Sequence, residues 1–177
     1  MLYTGKGDKG TTTAFGCDQQ RISKSSELPE ALGALDELNA FLGFVKIRSE
    51  KNTRIASVLH EIQEALFIVQ AEIAGADKNV GESTVKEVEK VVNDIEKEIP
   101  KLKGFSISGG TELSALLDIA RTIARRAERR VIAARDARAC KLGSAALAYL
   151  NRLSSLLFAL ARLANYQAGV AEEMPHY

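Results

Sequence analysis

The sequence predicts an all-α protein, a five-helix up-and-down bundle behind an N-terminal loop, and three observations carry that prediction. Apolar residues recur every three to four positions from Ser26 onward, the period of a helix with a buried face. Helix-stopping residues (Gly75, Pro100 and a glycine cluster at 104–110) fall between those runs rather than inside them. Strand formers are scarce: aromatic residues make up 6% of the chain and there is no Trp, which disfavours a sandwich. A length of 177 residues suits one core rather than two. The chain therefore reads as a single domain, 1–177, with a loop segment at 1–25 and a helical bundle at 26–177.

Residues 1–25 are rich in Gly, Thr and Lys and have no apolar period. They read as a loop that is ordered by itself or by a ligand, with at most a short extended piece. The first helix is expected from Pro29, a favourable early-turn residue, to about Arg48, with Leu32, Leu35, Leu38, Leu42 and Val45 in register. The second starts near Thr53 and buries Ile55, Val58, Leu59, Ile62, Leu66, Val69 and Ile73 before Gly75. The third starts at Thr84, where Thr84-Val85-Lys86-Glu87 has the form of a capping box, and stops at Pro100. The fourth spans about Glu112–Ala137, and the fifth runs from Ser144 to about Gln167. The fifth is apolar on two sides, which predicts a central position in the bundle or a place in an oligomer interface.

Composition narrows the function. With 24 basic and 23 acidic residues the net charge is +1, so no global basic excess points to nucleic acid. Cys17 and Cys140 form no CxxC, and His60 and His176 lie far apart. A zinc cluster or a di-iron bundle site has no ligand set, no metal-ligating residue is expected, and the thiols should be reduced and inert. His60 is expected to be structural. The N-terminus has no apolar signal core. The least charged stretch, Ser144–Tyr166, contains Arg152 and Arg162, which a membrane span tolerates poorly. A cytoplasmic protein without membrane association is the expectation.

Four features could carry chemistry. Gly5-Lys6-Gly7-Asp8-Lys9-Gly10 formally matches GxGxxG, yet lacks the preceding strand and following helix that a dinucleotide fold needs. Either it is a hydrophilic tail, or its glycines let backbone amides approach an anion that lysines and Thr11–Thr13 help to hold. In the fourth helix Asp118, Arg121, Arg125, Glu128 and Arg129 share a stripe roughly 100° wide, away from Leu117, Ala120, Ala124 and Val131. That stripe is either a solvated face with internal ion pairs or a set of guanidinium forks for polyphosphate. Asn151 in the fifth helix meets either a ligand or another helix. Phe105, ahead of the Gly109-Gly110 pair, is either core or a platform for a ligand.

Taken together, these pieces resemble the ATP:cob(I)alamin adenosyltransferases of the propanediol-utilisation (PduO) type. Tyr3–Thr11 is similar to that family's T-x-x-G-D-x-G loop, and Arg21-Ile22-Ser23-Lys24 to its R-V-x-K. Gly33–Asn39 resembles G-x-x-D-E-L-N, and Phe105–Gly110 resembles F-x-x-P-G-G with Ser108 in place of the proline. Arg121 with Arg125–Arg129 matches R-x-x-x-R-R-A-E-R, and Leu150–Ser154 matches L-N-R-L-S. The last two motifs are specific, and the resemblance covers nearly the whole chain.

The resemblance implies transfer of the 5′-deoxyadenosyl group of ATP to the cobalt of cob(I)alamin or a related corrinoid, with release of triphosphate. It implies Mg²⁺, a homotrimer, an electron-donating reductase and an adenosylcobalamin-dependent acceptor enzyme. It assigns ATP binding to Thr4, Gly5, Lys6, Gly7, Thr12, Thr13, Lys24, Arg125, Arg126, Glu128, Arg129 and Asn151. Arg125, Arg121 and Asp36 form the catalytic set, with Asp36 and Arg121 pairing across a subunit boundary, and Phe105 contacts the corrinoid. The competing readings are a non-enzymatic bundle that binds nucleic acid through the arginine face, and a ferritin-like metal bundle.

Overall fold

Five helices account for most of the chain: α1 (Glu27–Arg48), α2 (Thr53–Ile73), α3 (Glu82–Glu98), α4 (Glu112–Asp136) and α5 (Ser144–Gln167). They are preceded by two two-residue strands, β1 (Thr11–Thr12) and β2 (Ile22–Ser23), paired antiparallel. The computed structural model describes residues 2–15, 20–49, 52–102 and 104–176; Cys17 lies outside them.

Local chemistry sets the helix ends. Ser26 is the N-cap residue of α1, and its hydroxyl donates to the Ser23 carbonyl instead of capping the helix. The helix thus begins two residues before Pro29, which falls within the first turn where its missing N–H is harmless. Asn52 caps α2 by accepting from the Ile55 amide at 3.2 Å, and Thr111 caps α4 by accepting from Ser114 at 3.1 Å. The third helix starts at Glu82 after Gly81. Thr84 therefore lies in its first turn, and the expected capping box is not its N-cap.

Cross-helix pairs give the directions. Asn39 and Gln63 join α1 to α2; Glu37–Arg126 and Glu30–Arg130 join α1 to α4; Glu128–Asn151 and Thr111–Asn165 join α4 to α5. The pairs on α1–α4 and on α4–α5 run in opposite chain order, and with α1 ending at Arg48 and α2 starting at Thr53 the mid-helix Asn39–Gln63 pair makes α1 and α2 antiparallel as well. Arg54–Glu98 makes α2 antiparallel to α3, whereas Glu89–Arg152 and Pro100–Arg162 set α3 parallel to α5. The helices therefore run up, down, up, down, up, as the sequence predicts. One end of the bundle gathers residues 98–112 and the chain beyond α5. The other gathers the start of α1, the α2–α3 link and the α4–α5 link.

Leucine layers fill the centre: Leu35, Leu38 and Leu42 from α1, Leu59 and Leu66 from α2, and Leu150, Leu153, Leu157 and Leu160 from α5 are all buried. On α4 the packing face is Leu117, Ala120, Ala124, Ala127 and Val131, small enough to let α1 and α5 approach closely. By length and composition α5 is long and apolar enough to cross a membrane. Its two apolar sides are instead covered by α3 and α4, which makes it the core helix. A buried carboxylate, Glu72, accepts from the Val80 amide at 3.1 Å and the Gly143 amide at 2.7 Å. It thereby fastens two links at one end with every hydrogen bond satisfied. Cys140 is partly buried, and burial raises its thiol pKa despite the opposing charge of Arg135, which keeps it protonated and unreactive.

Candidate active site

The N-terminal loop is held by one side chain that sequence reasoning did not single out. Arg21 donates through Nε to the Thr11 hydroxyl at 2.8 Å, and through Nη2 to the carbonyls of Thr11 and Lys6. Together with two tight turns, Asp8 N–H to Gly5 O and Gly10 N–H to Gly7 O, it folds residues 5–12 onto the strand pair. Lys24 follows β2, and its amide donates to the Gly10 carbonyl at 2.9 Å. Its ammonium lies over Gly7, only 2.9 Å from where a Cβ would be. A bare backbone and an ammonium thus share one small space beside the exposed Thr4, Gly5, Lys6 and Thr13. This arrangement suits an anion.

The arginines of α4 divide into two pairs. Arg126 and Arg130 turn toward α1 and pair with Glu37 at 2.6 Å and Glu30 at 3.8 Å. Arg125 and Arg129, one turn apart on the adjacent face, are exposed; among the described residues neither makes a hydrogen bond or an ion pair. Beside them Glu128 accepts from the Asn151 amide at 3.3 Å, the Asn151 carbonyl accepts from Arg152 at 2.9 Å, and Arg152 pairs with Glu89 at 3.0 Å. Asn151 thus reaches both another helix and the arginine face. Arg121 pairs with the buried Asp118 at 3.0 Å, and its guanidinium lies 5.8 Å from the ring centroid of Phe158. Asp36 is exposed on α1 with no hydrogen-bond or salt-bridge partner among the described residues.

Phe105 lies at the opposite end of the bundle, 77% exposed on the rim of a cavity of about 430 Å³. The cavity is lined mainly by Ile99, Leu102, Tyr166, Val170 and Met174. Three polar ties hold its walls. Asn165 donates to the Gly109 carbonyl at 2.9 Å and accepts from both the amide and the hydroxyl of Thr111. Ile107 donates its amide to the Glu173 carbonyl at 2.8 Å. Arg162 grips Glu172 with two nitrogens and the Pro100 carbonyl at 2.7 Å.

The structure therefore brings Gly7, Thr12 and Lys24 into one loop cluster, and Arg125, Glu128, Arg129 and Asn151 into one face. It places Arg126 on the α1 side and Phe105 at the far end. No hydrogen bond or ion pair joins the loop cluster to the arginine face among the described residues. Arg162, Asn165 and Glu172 are the functional-looking residues that the sequence did not mark, and Arg21 stood in a motif without a role of its own. In the sequence Arg162 marks only a charge within the least charged stretch, and Glu172 has no motif around it. His60 is exposed on α2.

Comparison with known proteins gives one result. Residues 2–164 match the family model for cobalamin adenosyltransferase. A corrinoid adenosyltransferase from Bacillus subtilis is 36% identical over 97% of this chain and 90% of its own length. One from Citrobacter freundii is 37% identical over 92% and 93%. The solved structure of a variant PduO-type ATP:corrinoid adenosyltransferase from Lactobacillus reuteri, complexed with cobalamin and ATP, superposes with a TM-score of 0.91 at 31% identity, covering 99% of this chain and 97% of the other. Sequence over nearly the whole length and fold over the whole bundle agree, and the chain belongs to the cobalamin adenosyltransferase family.

Proposed function

We propose that this chain transfers the 5′-deoxyadenosyl group of ATP to the cobalt of a reduced corrinoid, with the triphosphate as leaving group. The observation that carries the reading is the Arg125–Arg129 pair, without an ion-pair partner among the described residues, beside Glu128 and Asn151 and inside the motif that best matches the family. Cations whose guanidinium forks are not spent on internal carboxylates are available to phosphate oxygens. In the reaction the cobalt(I) electron pair forms the bond to the 5′ carbon, and the C–O bond breaks toward the triphosphate. The nucleophile is already strong, so the protein's work is alignment and stabilisation of the charge that appears on the leaving group.

The roles divide accordingly. Thr4–Gly7, Thr12 and Thr13 wrap the nucleotide, and Lys24, Arg125 and Arg129 hold the triphosphate. Glu128 and Asn151 complete the pocket, with Arg126 supporting it from its Glu37 pair. Phe105 presses on the corrin face and keeps a lower axial base from cobalt, which favours the cobalt(I) state. Mg²⁺ would enter with ATP and would help to neutralise the charge of the triphosphate beside Lys24, Arg125 and Arg129.

Among the described residues the loop cluster and the arginine face make no hydrogen bond or ion pair within one chain, and Asp36 and Arg121 do not pair within it. Both facts support a homotrimer in which the loop of one protomer completes the arginine face of the next and Asp36 meets the neighbouring Arg121. A cytoplasmic setting with a reductase upstream and an adenosylcobalamin-dependent enzyme downstream fits this chemistry. Nothing in the comparisons favours the nucleic-acid reading.

The test is anaerobic spectroscopy of chemically reduced cobalamin with ATP, Mg²⁺ and the protein. Conversion to adenosylcobalamin that needs both ATP and protein is expected. Persistence of the cobalt(I) spectrum at saturating ATP overturns the proposal. Light scattering tests the trimer: an active, stable monomer at micromolar concentration would refute it.

A further inference from the structure

The cavity at Phe105 is built from three stretches: residues 99–102 with 104–106, the last turns of α5, and the chain that directly follows α5 at 169–174. The last stretch has little of its own to hold it. After α5 the chain reverses at Gly169 (φ +69°), with the Val170 amide bonded back to the Asn165 carbonyl at 2.9 Å. It then crosses the cavity mouth as an irregular strap. Val170 and Met174 are exposed apolar residues on it, so burial alone does not fix its position.

Two polar contacts fix it. One is the Ile107 amide to the Glu173 carbonyl. The other is Arg162, whose side chain is only 12% exposed, against 26% for Glu172. Its guanidinium meets both carboxylate oxygens of Glu172 while Nη2 also donates to the Pro100 carbonyl. One planar fork rooted on the rigid core helix thus positions two of the three cavity walls at once. A fork of this kind fixes direction as well as distance, and its half-buried setting weakens the solvent screening that makes surface pairs worth little.

We propose that Arg162 is a positioning residue for the corrinoid half of the site: through Glu172 and Pro100 it seats the 170–174 strap against the Phe105 loop and so sets the fit of the corrin ring, without touching ATP. The proposal rests on the reading that Phe105 faces the corrinoid. It separates the two substrates energetically, because Arg125 and Arg129 lie on another helix and no hydrogen bond or ion pair among the described residues connects them to this fork.

The experiment is steady-state kinetics on the full-length protein, with chemically reduced cobalamin and ATP varied in turn, for Arg162→Gln, Arg162→Lys, Glu172→Gln and Phe105→Ala. Arg162→Gln and Glu172→Gln should each raise KM for cobalamin about tenfold or more, since bidentate charge-assisted bonds are the strong ones. KM for ATP should stay within about twofold, as expected when only one substrate's binding is lost. Arg162→Lys should restore part of the loss, because a point charge keeps one contact but not the fork. An unchanged cobalamin KM in Arg162→Gln, with Phe105→Ala impaired, overturns the proposal and leaves the site reading standing. An unchanged cobalamin KM in Phe105→Ala overturns the site reading itself. Equal rises in both KM values with a lowered melting temperature would show a merely structural role and also overturn it. Should Arg162→Gln fail to fold, Glu172→Gln, which alters only the strap, decides by the same criteria.

Discussion

The loops at 4–13 and 104–111 are both rich in glycine, and they use it in opposite ways. At Gly7 the space a side chain would fill holds the flexible end of Lys24, with Nζ at 2.9 Å from the ideal Cβ position. At Gly110 that space holds the amide of Asn165 at 2.6 to 2.8 Å, and the backbone φ is +94°. The flexible end of Lys24 can shift to admit an anion beside it and still pair with that anion. Asn165 cannot, because it is buried and bonded to Gly109 and Thr111. The first loop is therefore built to exchange contacts and the second to keep them. The division runs through the molecule: bare backbone, with cations that make no ion pair among the described residues, on the proposed nucleotide side, and an apolar cavity braced by polar ties on the other.

The largest expected effect tests the exchanging side. Arg125→Ala should lower kcat by a hundred- to a thousandfold, roughly 3–4 kcal/mol, by analogy with the loss of one preorganised donor to a developing anion. In its proposed role the contact strengthens as the leaving group gains charge, so kcat should fall and not only affinity for ATP. Arg125→Lys should recover part of it. Arg130→Ala removes an exposed pair to Glu30 at 3.8 Å and should cost at most about 1 kcal/mol of stability with little change in kcat. A near-normal kcat in Arg125→Ala, with the oligomer intact, would erase the distinction between the two arginine pairs.

The glycines give the next pair. Gly110→Ala forces a side chain into a positive-φ position and against Asn165, and should destabilise the fold by about 2–3 kcal/mol, read as a lower urea midpoint. Gly7→Ala meets chiefly the flexible end of Lys24, with the Thr11 carbonyl at an ordinary 3.6 Å. It should change stability by less than about 0.5 kcal/mol, while raising KM for ATP. If the two substitutions destabilise equally, the contrast between the loops is wrong.

Sequence alone resolves these halves unequally, for a physical reason. The five helices come from a repeat of three to four residues that burial imposes, so Leu35, Leu59 and Leu157 report their own environment. The arginine face is legible because Arg121, Arg125 and Arg129 lie on one helix, where spacing is geometry. What could not be read is what depends on distant partners. The division of Arg126 and Arg130 from Arg125 and Arg129 needs Glu37 and Glu30 on α1. The Phe105 cavity needs the chain beyond α5 to fold back across residues 99–106. Arg21 resembled part of a motif, yet only the folded loop shows that its guanidinium closes on Lys6 and Thr11.

The smallest effect concerns the helix that both halves share. Tyr149 on α5 is 1% exposed, and its hydroxyl is buried without a hydrogen-bond partner. It lines a cavity of about 100 Å³ between α2, α3 and α5, together with Glu61 and Glu87. Burial first, and then the negative charge of Glu61, raise its pKa well above the usual 10.0. An unpaired buried hydroxyl contributes a desolvation cost, so Tyr149→Phe should leave stability unchanged or raise it by up to about 1 kcal/mol at pH 8. The pH dependence has a definite sign. With the folded pKa raised, the unfolded chain releases the phenolic proton first, and stability is lost as pH climbs past about 10. Tyr149→Phe lacks this group, so its advantage over the parent should widen between pH 10 and 11 in urea unfolding. Because α5 supports both ends, the ratio of the two KM values should not move. A loss of more than about 1 kcal/mol at pH 8 would instead mean that the hydroxyl is bonded in solution through a water in that cavity. A shift in one KM alone would mean that the core is not neutral between the two halves.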